Sequence, residues 1–119
     1  MAKINENLII PKSATIGDNS YIKFGDGTLI CYGLCPSTNT AHNTTSTASV
    51  SFAETFINQP SINLTIRAGN DQSTQYLFCA VKSDDNLTGF TLRTRNSNTA
   101  SSGADYSARV YYQAIGKWK

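Results

Sequence analysis

The sequence predicts an all-β fold: an antiparallel β-sandwich of about six strands. Three observations carry that expectation. Ser, Thr and Asn supply 38 of 119 residues, the short polar side chains of turns and exposed strand faces. Runs of β-branched and aromatic residues recur at roughly 10-residue spacing with turn residues between them. No stretch supports a helix longer than one turn, and Glu, a good helix former, occurs only as Glu6 and Glu54.

Taken in order, the elements begin weakly. Residues 1–20 hold a sparse apolar series, Leu8 to Ile10, Pro11, Ala14, Ile16 and Gly17, without a clear strand pair, and read as an arm or connector. Residues 21–119 read as the folded domain. Tyr21-Ile22-Lys23-Phe24 and Thr28-Leu29-Ile30-Cys31-Tyr32 flank Gly25-Asp26-Gly27, which predicts a hairpin. Residues 36–47 are dense in Ser, Thr and Asn and read as a long loop or a weakly paired edge. Ser49-Val50-Ser51-Phe52 alternates as a strand. The segment 54–59 then bends before Pro60, with Phe56 plugging the end of the core.

The clearest period-two run is 61–67, with Ile62, Leu64 and Ile66 inward and Asn63, Thr65 and Arg67 outward. A turn at 69–73 leads into 75–82, apolar on both faces: Tyr76, Phe78 and Ala80 on one, Leu77, Cys79 and Val81 on the other. Such a strand sits in a core or under a neighbouring subunit. After a turn at 83–88, the strand 89–95 points Phe90 and Leu92 inward. A second polar loop covers 96–105. The last strand, 107–118, is again apolar on both faces.

Composition also excludes function classes. A single domain of this length can bury a core without a disulfide or metal staple. Ten basic against eight acidic residues, net charge +2, is too little for nucleic-acid binding by phosphate neutralisation. Twelve aromatics argue against disorder. The first apolar run is three residues and stops at Pro11, short of a signal h-region or a membrane span. The chain is therefore expected to be made in the cytoplasm, or to be an excised piece, and not to insert in a membrane. Three cysteines, an odd number, argue against a secreted disulfide framework. Cys31-x-x-x-Cys35 offers two zinc ligands, with only Cys79 and His42 to complete four, so buried thiols are the expectation and neither metal nor cofactor is.

No catalytic constellation emerges, and the chain is expected not to be an enzyme. His42, the sole histidine, lies in the polar stretch between Ala41 and Asn43. Asp84-Asp85 are adjacent turn formers rather than two acids across a groove. No calcium-loop spacing is present. The sequons at Asn43, Asn63 and Asn86 are expected by chance in a Thr-rich chain.

Sugar recognition is a better fit, because it uses aromatic faces with short amides, hydroxyls, Asp and Arg. Two loops rich in those groups are expected to meet at one end of the sandwich: Asn70-Asp71-Gln72, and 96–106 with Asn96, Asn98, Asp105 and Tyr106. Arg93 and Arg95 lie on the strand entering the second loop. At period two they form a basic stripe for a carboxylate or phosphate, or they solubilise an edge or bridge to a neighbour. The candidate ligand-binding set is Asp71, Gln72, Arg93, Arg95, Asn96, Asn98, Asp105 and Tyr106, with core or interface as the alternative for Tyr106 and Tyr111.

Four motifs in order resemble a known family. Tyr21-Ile22-Lys23-Phe24-x-x-Gly27-Thr28-Leu29-Ile30-x-Tyr32-Gly33 resembles the opening of bacteriophage tail-fibre C-terminal domains. Tyr112-Gln113-Ala114-Ile115-Gly116-Lys117-Trp118 is similar to their ending. Val50-Ser51-Phe52 with Phe56 and Pro60, then Thr88-Gly89-Phe90, fall between in the same order. These fibre tips resemble H-type lectins. The resemblance implies an H-type lectin-like six-stranded sandwich assembling as a homotrimer, with residues 1–20 running toward an upstream fibre shaft or pairing with a neighbour.

The implied role is a receptor-binding tip on a virion tail fibre. It would adhere to a host cell-surface glycan or other receptor through many weak sites. The implied alternatives are a trimerisation cap without a ligand of its own, and a free-standing bacterial lectin-like protein. The lectins' sugar residues do not carry over. Their central-strand Arg falls near Gln75 and Tyr76, and Asn96-Ser97-Asn98 occupies the region of their Trp-His pair.

Overall fold

The computed structural model describes residues 12–36, 38–68, 76–82, 87–99 and 105–119. Every element among them is a β-strand: β1 (Lys12–Ile16), β2 (Asn19–Lys23), β3 (Thr28–Leu34), β4 (Thr38–Thr40), β5 (Thr44–Ser51), β6 (Ser61–Ala68), β7 (Leu77–Val81), β8 (Gly89–Asn96) and β9 (Tyr106–Lys117). All pairings are antiparallel.

The strands divide into two sheets. One has six strands around β9, whose length lets it pair with three others. One edge of β9 takes β3 along its C-terminal half and β4 at its start, and the opposite edge takes β6. β2 and then β1 extend this sheet beyond β3. The other sheet has three strands in the order β5-β8-β7.

Alternation sends one residue set from each sheet into a shared core. Leu29, Cys31, Val110, Tyr112 and Ala114 come from the six-stranded sheet, and Val50, Phe90 and Leu92 from the three-stranded one. Aromatic rings join the two sets. Phe90 meets Tyr112 edge-on at 5.4 Å, and Phe52 lies 5.2 Å from Phe56 and 5.9 Å from both Phe90 and Tyr112.

Phe56 is the expected plug, 1% exposed. Its segment is tied to both sheets, since Phe56 N–H donates to the Leu87 carbonyl and Ile57 N–H to the Lys117 carbonyl, each at 2.9 Å. A Cβ on Gly116 would approach the Phe56 ring at 2.8 Å, so glycine at that strand position makes room for the plug.

The β2–β3 hairpin forms where the Gly-Asp-Gly signal placed it. Gly27 takes a φ of 100°, and Asp26 Oδ1 accepts the Thr28 N–H at 2.8 Å. The alternation expected over 61–67 is present in β6.

One expectation differs from the structure, and one of two alternatives is settled. Residues 12–16 are not an unpaired connector. They form β1, paired with β2 from Lys12↔Lys23 to Ile16↔Asn19, so the expected boundary at residue 20 falls inside β2. Every β1 residue is nevertheless exposed, because the strand lies at a sheet edge.

Of the two readings of 36–47, the paired edge is the one present, since β4 and β5 each lie at the edge of a sheet. The stretch contains β4, a turn at His42 and Asn43 with Asn43 at φ 53°, and the first half of β5. Thr44, Thr45 and Thr47 suit an exposed strand face, whereas Thr40 is buried, and the inward positions Ser46 and Ala48 are too small to signal a core face. The expected turns at 69–73 and 83–88 lie mainly outside the described residues.

Candidate functional site

The three-stranded sheet presents the Arg pair outward. On β8, Phe90, Leu92, Thr94 and Asn96 point in and are buried, so Thr91, Arg93 and Arg95 point out. Register then sets their neighbours. Arg95 lies between Thr45 of β5 and Phe78 of β7, and Arg93 between Thr47 and Ala80. Lys82, just past β7, donates its N–H to the Thr91 carbonyl at 2.9 Å and extends the cationic face. No acidic residue occurs in β5, β7 or β8.

The face carries an open cleft of about 330 Å³ lined by Thr45, Phe78, Cys79, Ala80, Arg93 and Arg95. Phe78 is 59% exposed, an aromatic surface that nothing in the described chain covers. The two arginines differ. Arg95 is half-buried and donates Nη2–H to Asn43 Oδ1 at 2.6 Å. Asn43 is itself held in the β4–β5 turn, where the Thr44 hydroxyl bonds the Ala41 carbonyl at 2.6 Å. Arg93 is exposed and forms no hydrogen bond or ion pair with any described residue.

The expected site residues separate into groups. Arg93 and Arg95 stand together on the cleft. Asp71 and Gln72 lie outside the described residues. Asp105 is exposed, immediately before β9.

Asn96 is fully buried. Its Nδ2 donates to the Thr40 carbonyl at 3.0 Å and its Oδ1 accepts the Asn98 N–H at 3.1 Å. Asn98 Nδ2 donates to the Tyr106 hydroxyl at 3.2 Å, and the buried Tyr106 ring stacks on Tyr76 at 6.2 Å. Ser97 ties the same region to β7 by donating its N–H and hydroxyl to the Tyr76 carbonyl. Asn96, Asn98 and Tyr106 thus hold β4, β7, β8 and β9 together at one end.

Sequence reasoning left Thr45, Asn43 and Phe78 out of the site. Thr45 and Asn43 lie in 36–47, where the polar pattern left loop and paired edge open. Phe78 carried a signal: the two-faced apolar pattern of 75–82 requires something outside the sheet to meet one face.

At the far end, Trp118 closes the β2–β3 hairpin. Its Nε1–H donates to the Phe24 carbonyl at 2.8 Å, and the Lys23 and Lys119 ammoniums lie 4.8 and 4.9 Å from its ring. Lys23 also pairs with Glu54 at 3.0 Å.

The cysteines are free thiols. Burial pushes Cys31 and Cys35 up to about 11 and raises Cys79, so all three stay protonated at neutral pH. Among the described residues no three His, Cys, Asp or Glu side chains cluster as a metal site, and no helix is long and apolar enough to cross a membrane.

The fold is similar to that of solved tail-fibre structures. No protein-family profile matches the chain, and no curated protein matches it in sequence. Solved structures do match in fold. The C-terminal part of the P. aeruginosa R1 pyocin fibre superposes with a TM-score of 0.69 at 12% identity, over 92% of this chain and 28% of that one. An N-truncated R1-type pyocin tail fibre gives 0.64 at 12% identity, over 88% of this chain and 85% of that one. The chain therefore spans under a third of the longer fibre and most of the shorter.

Proposed function

We propose that the chain is a receptor-binding tip domain of a phage-type tail fibre, which adheres to a glycan on the host cell surface. The observation that carries this reading is the fold shared with pyocin tail fibres over nearly the whole chain. The exposed cleft with Phe78, Arg93 and Arg95 supplies the groups that sugar binding needs. The two sheets form a β-sandwich, a reading supported by the Phe90–Tyr112 contact and the joint core. The protein works without catalysis, in the tail-associated fibre of a virion or virion-like particle, downstream of a shaft.

Adhesion draws on trimer avidity, which multiplies weak single sites. The outer face of the six-stranded sheet supports that assembly. Ile22, Ile30 and Ile115 align across β2, β3 and β9 by register, beside exposed Tyr32. This same apolar row favours a second reading, a trimerisation cap with no ligand. Adsorption of the purified domain to bacteria, together with a glycan array, separates the two. Saturable adsorption competed by a sugar supports adhesion. A stable trimer that adsorbs to no bacterium and binds no sugar supports the cap.

A further inference from the structure

We infer that the cleft on β5, β8 and β7 takes an anionic sugar, a pyranose bearing a carboxylate or phosphate, with its acidic group on Arg93 and its apolar ring face on Phe78. The inference rests on the adhesion reading and adds the chemical class of the ligand.

Charge is the first argument. The chain is nearly neutral, yet Arg93 and Arg95 line one cleft, exposed Lys82 directly follows β7, and no acid occurs in the three strands. A guanidinium presents paired N–H donors in a planar fork that matches a carboxylate or phosphate. Arg95 is anchored by Asn43, while the exposed Arg93 has no partner among the described residues. The face thus offers one oriented cation and one open cation.

Geometry is the second. Residues two apart on a strand are about 6.7 Å apart, close to the length of a pyranose ring. Phe78 is directly opposite Arg95 and diagonal to Arg93, within reach of one ligand that touches both. The flat, exposed Phe78 ring suits the C–H face of a sugar, while the Thr45 and Thr47 hydroxyls lie across β8 for its hydroxyl groups. A cleft of about 330 Å³ accommodates one or two sugar residues.

The test is titration of the ¹⁵N-labelled chain with matched pairs: glucuronate against glucose, galacturonate against galactose, glucose 6-phosphate against glucose, and inorganic phosphate alone. The expected result is that at least one acidic sugar shifts the amides of Thr45, Phe78, Ala80, Arg93 and Arg95. It should bind about tenfold more tightly than its neutral partner, a difference of about 1.4 kcal/mol. Arg93→Gln should abolish that preference, and Phe78→Ala should weaken the acidic sugar but not inorganic phosphate. Both side chains are exposed, and a thermal melt verifies that each variant folds.

Equal binding of acidic and neutral sugars overturns the anionic class and leaves adhesion standing. Inorganic phosphate binding as tightly as glucose 6-phosphate also overturns it. Shifts confined to the Trp118 end overturn the placement. No sugar binding at all, with no adsorption to bacteria, overturns the adhesion reading as well.

Discussion

The outer faces of the two sheets follow the same alternation and differ in apolar content, although the six-stranded face also carries Arg67 opposite Arg109. On the six-stranded sheet the outward residues include Ile22, Ile30, Ile115 and Tyr32. On the three-stranded sheet they are Thr45, Thr47, Ser49, Arg93, Arg95, Phe78 and Ala80. Both sheets contribute the same kind of inward residue to one core, so folding does not demand the difference. An aliphatic row on a sheet face is complementary to another copy of itself. A face of guanidinium, hydroxyl and one aromatic ring is complementary to a polar ligand with an apolar side. On the proposed reading, assembly falls to one sheet and adhesion to the other.

The largest effect tests what both sheets share. Phe56→Ala removes the plug beneath both, and a buried Phe→Ala substitution costs about 3–5 kcal/mol. Urea unfolding should show the loss as one cooperative transition. If only one of two transitions moves, the sheets unfold separately and the shared core is wrong.

The next effect separates the faces. Tyr32→Glu places charge on the aliphatic side, where Tyr32 is 42% exposed in the single chain. Light scattering should fall from a mass near three chains to one, with the melt of the single chain little changed. Arg93→Gln should leave the mass unaltered. Loss of assembly in Arg93→Gln, rather than in Tyr32→Glu, would reverse the assignment of the two faces.

A smaller effect concerns the end where the sheets meet. Asn96→Ala leaves the Thr40 carbonyl and the Asn98 N–H without their Asn96 partners, a cost of about 1–3 kcal/mol. Stability should fall by that amount, while sugar affinity per folded molecule stays constant. A specific loss of affinity with stability intact would return Asn96 to the ligand site.

The sequence made these regions unequally legible. Large apolar residues at period two, as in 61–67 and 89–95, located β6 and β8 and their inward faces. The Gly-Asp-Gly signal located a hairpin, because Gly27 needs a positive φ. The stretch 36–47 was opaque, since Ser46 and Ala48 fill the inward side of β5 without an apolar signature. Site residues followed the same rule. Spacing put Arg93 and Arg95 on one face. Asn96 and Tyr106 looked like loop polar groups until cross-strand partners, absent from any local pattern, showed them bonded within the structure. Thr45 and Phe78 reach the cleft only through the β5-β8-β7 register, which is a long-range fact.

The last comparison is between the thiols of the two sheets. Cys31 lies on β3 and Cys35 directly follows it, both buried, whereas Cys79 of β7 is half-buried beside the cleft. At pH 8 an alkylating reagent should therefore modify Cys79 first and leave Cys31 and Cys35 until the chain unfolds. Near pH 7 the thiols hold their protons in folded and unfolded chain alike, and titration contributes nothing to stability. Between pH 9 and about 11 the unfolded thiols ionise while folded Cys31 and Cys35 remain protonated. The folded state then binds more protons, so stability falls as pH rises, by up to about 1.4 kcal/mol per pH unit for each group. Burial raises the Tyr112 hydroxyl too, and that adds to the same slope at its upper end. Urea midpoints at pH 6 and 7 should nearly agree, begin to fall by pH 9 and drop further by pH 10.5, with a shallower drop in Cys35→Ala. A midpoint flat to pH 10.5, or Cys31 alkylated as fast as Cys79, would mean that the six-stranded side of the core opens as readily as the cleft side.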